Sequence, residues 1–529
     1  MSETLAPVPA QQNEKEAEKV LAASASVFAI YGVEPEVQAY AMAKYSRSAL
    51  SMRESLKEIN DQKAEKFLNT FYFQYGHRSI ADLAHIAFAI EKLSMIAAII
   101  LVDEQRWDGQ ERSTRYQDFK KSGYFSPDFG SDAAALALYH QTMKDLFAEY
   151  ESLSEGMFRW LEGRTPKPGE MKQDHYERTL RARAFDISRY MLPLATNTSL
   201  GQIVNARTLE TQISRLLASP FREVQTLGAL LKDAARNPSV NINQEKWGDL
   251  VAQVRELNAD LGERAAQALL KEVRVSPTLV KYAEPNHYEM ETRREFQQAA
   301  RELMAGAAIA KAPLVDLLED DALEIELAAT LLYQHSHYSY RQIREKVSGL
   351  SGSRVHELVD LGTKHRGRHD ELLRAFSAGQ RLKFDILMDV GGFRDMHRHR
   401  RCVQICQDFT SAHGFDVPED LVAAGLGPRY EKVMQNAGDV SAKLAAGSSE
   451  AATHNALYVL PMGYRCRALF KMDFAEALYI SELRTTPAGH FSYRNVAYAM
   501  YEKVAERYPA LAKHLRVTDV RKPVDLLQR

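Results

Sequence analysis

Apolar positions recur at helical spacing along most of this chain, and only two short stretches have the spacing of strands. Ile86-Ala87-Phe88-Ala89-Ile90 alternates and predicts a strand, with Ser94 placed to cap the helix that follows. Lys383-Phe384-Asp385-Ile386-Leu387-Met388-Asp389 partly alternates apolar and charged residues and predicts a half-buried strand. Gly391-Gly392 breaks it, and a basic run follows on a predicted helix. Pro35-Glu36 opens a helix through EVQAYAMAKYSRSALS, charged helices continue through Lys57 and Phe67, and Gly76 permits a turn. Tyr176 to Leu192 predicts a helix stopped at Pro193. The next helix, within VNARTLETQISRLL, places Asn205, Arg207 and Thr211 close to one face. FREVQTLGALLKDAARNP is amphipathic and ends at Asn237-Pro238.

The second half repeats this grammar. IELAATLLY (Ile325 to Tyr333) resembles VQAYAMAKY (Val37 to Tyr45), Arg368-His369 stands where Gly76-His77 does, and Leu460-Pro461 matches Leu192-Pro193. FAEALYISELR then ends at Arg484. The polar, turn-rich tract from Tyr282 to His287 is the expected connection, giving repeats over 1–290, with a polar tail to about residue 20, and 291–529.

A length of 529 residues favours two or more domains, and 45% hydrophobic with 26% charged residues is globular composition. Lys+Arg 68 against Asp+Glu 70 leaves a formal charge of −2, so nothing global advertises a nucleic-acid or anionic-membrane binder. Three cysteines suit a reducing compartment and lack metal-ligand spacing; Cys402 and Cys406, four apart on a predicted helix face, read as buried small side chains. No metal site is expected. The N-terminus carries no apolar signal segment and Met95 to Val102 is too short to span a bilayer, so a cytoplasmic location is expected.

Two features carry chemistry. His397-Arg398-His399-Arg400-Arg401 concentrates cationic groups in a nearly neutral chain, and such a cluster repels itself unless an anion compensates it. A solvated helix face is the ordinary explanation of a basic run. The loop QERSTRY, Gln110 to Tyr116, offers two hydroxyls, backbone N–H groups and a guanidinium, a grouping able to wrap a phosphate and equally common in surface turns.

With these residues in view, the chain resembles the flavin-dependent thymidylate synthase family twice over. That family has a motif of the form RHR, then a serine, then NExSxRY. The resemblance implies an α/β fold of the α+β type: two helix-rich repeats, each a small, mainly antiparallel sheet packed with several helices. It also implies reductive methylation of dUMP to dTMP with FAD, NADPH and methylenetetrahydrofolate, at sites lying between subunits of a tetramer. Here the motif is divided. The first half keeps Glu111-Arg112-Ser113-Thr114-Arg115-Tyr116 but has Asp103-Glu104-Gln105 in place of RHR, and Asp108 at the serine. The second half keeps Arg398-His399-Arg400, has Val403 at the serine and lacks NExSxRY.

Carried over position by position, the resemblance makes Ser113 and Arg115 phosphate contacts, Arg189 a second phosphate-binding arginine and Glu111 a site carboxylate. His77 and Ser79 match a segment that touches flavin, and Asn205 and Arg207 match further flavin contacts. Arg398, His399 and Arg400 match the flavin- and nucleotide-adjacent triad. Arg484 matches the uracil-facing arginine; Arg215 is its first-half counterpart only if one residue is deleted. The second-half counterpart of Arg189 is Leu457. Complementary losses imply that first-half SxR groups and second-half RHR groups build one site, in a homodimer imitating a tetramer. Three other readings fit the residues: a diverged flavoprotein acting on another substrate, a non-catalytic nucleotide-binding pseudo-enzyme, and, against the neutral charge, an RNA or DNA contact at the basic run.

Overall fold

The structure, a computed structural model, describes residues 30, 32–44, 68, 78–318, 322–367, 373–376, 382–447, 450–513, 515–525 and 527. The helices expected through Lys57 and Phe67, the turn at Gly76, and His77, Arg368 and His369 lie outside the described residues.

Two antiparallel sheets organise the chain. β1 (His85–Ser94), β2 (Asp108–Glu111) and β3 (Asn197–Asn205) pair in the order β1-β3-β2. β4 (Val315–Leu317), β5 (Leu382–Asp389), β6 (Val403–Cys406) and β7 (Arg465–Met472) pair in the order β4-β5-β7-β6. In the first half the helices include α1 (Met95–Leu101), α2 (Ala133–Arg164), α3 (Gln173–Ser188), α4 (Ala206–Leu217) and α5 (Arg222–Arg236). In the second they include α6 (His287–Leu303), α7 (Val390–Met396), α8 (Gly427–Ala445), α9 (Phe474–Arg484) and α10 (Phe491–Arg507).

The halves follow one plan. Ser94 ends β1 and caps α1 by accepting the Ala97 N–H at 3.0 Å; Asp389 ends β5 and caps α7 by accepting the Gly392 N–H at 2.6 Å. The same count from each cap leads to Asp103 and to Arg398, then to Asp108 and Val403, the first residues of β2 and β6. Arg189 and Leu457 each open a short 3₁₀ turn before Leu-Pro.

At these Leu-Pro corners the halves are joined. The Leu194 N–H donates to the Leu460 carbonyl and the Met462 N–H to the Leu192 carbonyl, both at 2.9 Å. Ala195 N–H to Tyr458 and Gly463 N–H to Tyr190, both 3.0 Å, complete a reciprocal set. Each bond has its partner under exchange of halves, the self-complementarity of a two-fold interface drawn inside one chain. Each half also lends a tyrosine to the other. The Tyr458 hydroxyl donates to Glu223 at 2.8 Å beside the Ser94 cap, while Tyr190 stacks on Phe491 of α10. One apolar core runs through both halves, from Ile86, Leu192 and Leu200 to Phe384, Leu460 and Phe470.

The second sheet departs from the expected half-buried strand. β5 is buried along almost its whole length, because the helices Leu323–Tyr333 and Tyr340–Ser348 cover its charged face. That face is paired ionically: Lys471 lies 2.9 Å and Lys383 3.3 Å from Glu326, and Arg467 lies 2.9 Å from Asp385, with its Nε and Nη2 left without a hydrogen-bond partner. Alternation therefore reports a strand with two unlike faces, and neither faces water. β1, by contrast, keeps exposed alternate positions among the described residues.

Other expectations shift locally. Gly391 and Gly392 fall in the first turn of α7 because Asp389 caps it, and Gly392 is required where Ser492 packs against it. The basic run lies beyond the helix, in the turn leading to β6. Cys402 accordingly precedes β6 and Cys406 ends it, so they share no helix face; Cys402 is buried and Cys406 partly so. α3 ends at Ser188, with the 3₁₀ turn completing the stretch to Met191. Asn205 is the cap of α4, accepting the Thr208 N–H at 2.8 Å, so its side chain is spent on the backbone rather than aligned with Arg207 and Thr211.

Replacing Glu326 with Ala leaves two buried ammonium groups without their carboxylate. The expected loss is about 3–5 kcal/mol of unfolding free energy, measured by urea titration.

Candidate functional site at the junction of the halves

The loop after β2 delivers the first-half groups. Ser113 Oγ accepts the Arg115 N–H at 3.2 Å, tightening the turn. The Arg115 guanidinium donates to both Asp186 carboxylate oxygens (2.7 and 3.3 Å) and crosses to the second half, reaching the Tyr493 hydroxyl and the Ala488 carbonyl at 3.0 Å each. Burial would favour its loss of charge, but Asp186 holds it firmly protonated. Arg189, 2% exposed, places Nη2 3.2 Å from the Gly391 carbonyl and 3.6 Å from the Asp395 carboxylate, with Nη1 3.4 Å from Thr114. Glu111, at the end of β2, pairs with Arg394 of α7.

The second half closes on these groups. His399 is buried; its Nε2 accepts from Arg484 Nε at 2.8 Å, which puts the ring proton on Nδ1, 3.4 Å from Glu476. Burial lowers the affinity of this imidazole for a second proton, consistent with that neutral form. Arg484 also donates to the Asp395 carbonyl at 2.8 Å and lies over the Tyr493 ring. Arg398 is exposed at the rim, and Arg400 stacks over the first-half Trp107 at 4.4 Å.

Asp395, on the last turn of α7, is the functional candidate that pattern reading missed. Burial would raise its pKa, but the fields of Arg189, Arg115, Arg398 and Arg484 hold it below the ordinary carboxylate range. Two of those guanidiniums come from each half. The available signal was an acid one helical turn before Arg398, hidden by the density of positive charge around it. Beside this centre, Nε of Arg189 and Nε of Arg394 are buried without a hydrogen-bond partner. Buried donors are normally satisfied. Two guanidinium N–H groups left over at one junction are available to an oxyanion.

Glu111, Ser113, Arg115 and Arg189 are thus brought together with Arg398, His399 and Arg484. Arg215 is not. Its guanidinium is held by Glu104, at 2.9 Å from Nε and 2.7 Å from Nη2, as Arg484 is held by His399. That pair lines a separate cavity of about 980 Å³ between α4 and α6, with Arg207, Glu289, Arg293 and Arg374. Arg207 reaches Asp82 at 3.4 Å, and Ser79 is exposed on the 3₁₀ turn that packs against α4. A small neighbouring cleft shares Asp103, Glu104 and Arg374 with the cavity and is bounded by His397 and Arg400. At the positions of the family serine, Asp108 is exposed on β2 and Val403 is buried on β6. No described helix is long and apolar enough to cross a membrane.

A family model described as "Thymidylate synthase complementing protein" matches this chain twice, over residues 30–231 and 313–510. A UPF0159 protein of Chlamydia muridarum is 26% identical, with 96% of this chain and 95% of the relative aligned. Another, of Thermoplasma acidophilum, is 23% identical over 90% of this chain and 94% of the relative. A flavin-dependent thymidylate synthase of Clostridium tetani is 27% identical over 34% of this chain and 68% of its own length. Among solved structures, the flavin-dependent thymidylate synthase ThyX of Helicobacter pylori, complexed with FAD and dUMP, aligns with 38% of this chain and 89% of its own at 17% identity and a TM-score of 0.26.

Asp186→Ala strips Arg115 of its carboxylate while Tyr493 and Ala488 still hold it. Because the pair is buried, a loss of about 3 kcal/mol or more is expected, in one cooperative urea transition of both halves.

Proposed function

The chain belongs to the family of thymidylate synthase complementing proteins, and from that premise we propose that it is a flavin-dependent enzyme acting on a dUMP-like pyrimidine nucleotide, making dTMP with methylenetetrahydrofolate and NADPH. The observation that supports this reading is that Arg189 of the first half, 3.6 Å from the Asp395 carboxylate, and Arg484 of the second, 2.8 Å from its carbonyl, meet at Asp395 in the field of Arg115 and Arg398. A nucleotide phosphate brings roughly two negative charges at neutral pH. Arg189 and Arg398 are its natural partners, since Arg115 already spends its donors on Asp186, Tyr493 and Ala488. Arg115 then fixes the loop while Ser113 and the rim arginine receive the ligand. Arg484, steadied by neutral His399, faces the base; pre-oriented charge of this kind stabilises developing negative charge without reorganisation.

FAD, when bound, supplies the hydride. Its contacts would come from Arg400, stacked on Trp107, and from His77, Ser79, Asn205 and Arg207, the positions that the family resemblance assigns to flavin. Asn205 could contribute only what its capping bond leaves free. Two chains in a homodimer would supply the four family-like units.

One observation favours a second reading, a diverged paralogue using the same ligands: neither Asp108 nor buried Val403 can replace a serine hydroxyl. Purified protein should show flavin absorbance, and expression should rescue a thymidine-requiring strain. Bound flavin without rescue selects the paralogue, and colourless protein that does not take up FAD rejects both. Arg115→Ala and Arg398→Ala should each lower dUMP binding at least about tenfold, a change of about 1.4 kcal/mol. Loss of two separate sites by the two variants would refute a composite site.

A further inference from the structure

The first-half segment Asp103-Glu104-Gln105 stands at the position of the basic triplet, yet it is not an empty relic. Asp103 reaches across the junction. Its carboxylate accepts from Arg374 Nη1 and lies 3.7 Å from His397 Nε2, while its carbonyl accepts from Arg374 Nη2 at 3.0 Å. Arg374 in turn donates to the Gln404 carbonyl at 3.2 Å, and the Gln404 side chain meets His397 Nδ1 at 2.8 Å and the His399 carbonyl at 2.7 Å. The residue at the head of the basic run therefore sits between the carboxylate of an acid from the other half, near it without a hydrogen bond, and an amide that binds both its ring and the His399 carbonyl. Trp107, four residues beyond Asp103, carries Arg400. Arg374, His397 and Arg215 hold Asp103 ionised against the cost of its burial.

The pseudo-equivalent site is closed by the same segment. Glu104 occupies Arg215, and the second half offers Leu457, Asp408 and Thr410 where the first has Arg189, Ser113 and Arg115. Replacing the basic triplet by acids removes anion binding on one side and supplies a brace to the other.

We infer that Asp103 is a positioning residue for the basic run His397–Arg400, and that each chain accordingly has one phosphate-binding junction site. The inference rests on the anion-site part of the function proposed above and goes beyond it in stoichiometry and in the role of Asp103.

The experiment is calorimetric titration of the full chain with dUMP and, separately, with inorganic phosphate, for the wild type, Asp103→Asn, Asp103→Glu and Asp103→Arg. One equivalent of dUMP per chain is expected. Asp103→Asn should weaken binding tenfold or more, Asp103→Glu should restore much of it, and Asp103→Arg should not raise the count to two. Two equivalents in the wild type would overturn the inference even if every variant failed to fold. So would unchanged affinity in Asp103→Asn, or equal damage from Asn and Glu with no rescue. Phosphate binding once per chain with this dependence on Asp103, but no dUMP binding, would sink the nucleotide reading and leave the inference standing. Binding of neither would overturn both.

Discussion

Everything distinctive about this molecule depends on the reciprocal backbone bonds between the Leu192-Pro193 and Leu460-Pro461 corners. Backbone pairing fixes register without regard to side chains, so the two halves remain locked in a two-fold arrangement while their side chains diverge. Proline at each corner removes a donor and sets the bend, and the neighbouring residues of the two halves then donate their N–H groups to one another's carbonyls in matched pairs. The apolar core continues through this seam, which is why the halves cannot be treated as independent folding units.

Once that frame is fixed, the electrostatics can be asymmetric. On one side of the frame, guanidiniums from both halves surround Asp395; on the other, carboxylates take the corresponding positions and are matched by Arg215 and Arg374. The charges balance locally, which accounts for a nearly neutral chain containing so dense a basic segment. The same logic appears in the second sheet, where a charged strand face is buried because another element of the chain brings its counter-ions. In each case a helix or loop remote in sequence supplies the compensating charge.

Much of the local architecture was legible in the sequence. Ser94 as a cap, the strand at Ile86–Ile90, the stop at Pro193 and the duplicated Leu-Pro corner all follow from chemistry within a few residues. The divided motif was legible too, because losses in one half are matched by retention in the other. What the sequence could not disclose depends on distant partners. Whether Lys383 and Asp385 face water or Glu326 and Arg467 is decided by helices elsewhere in the chain. Nothing within the run from Arg394 to Arg401 tells that Asp395 is the point on which it converges, or that Arg215 is taken by Glu104. Asn205 looked like one of three aligned polar groups because periodicity does not distinguish a helix residue from its cap.

The Leu-Pro seam also has a consequence for concentration and for inheritance. Two separate subunits meeting through such a surface would assemble only above a threshold concentration, and every substitution would appear in both copies at once. Covalent linkage keeps the facing surfaces at a fixed, high effective concentration, so the composite site does not come apart on dilution. It also lets a substitution occur on one side alone. An acid can enter where an arginine stood without being copied into its twin, and the two sides become free to specialise.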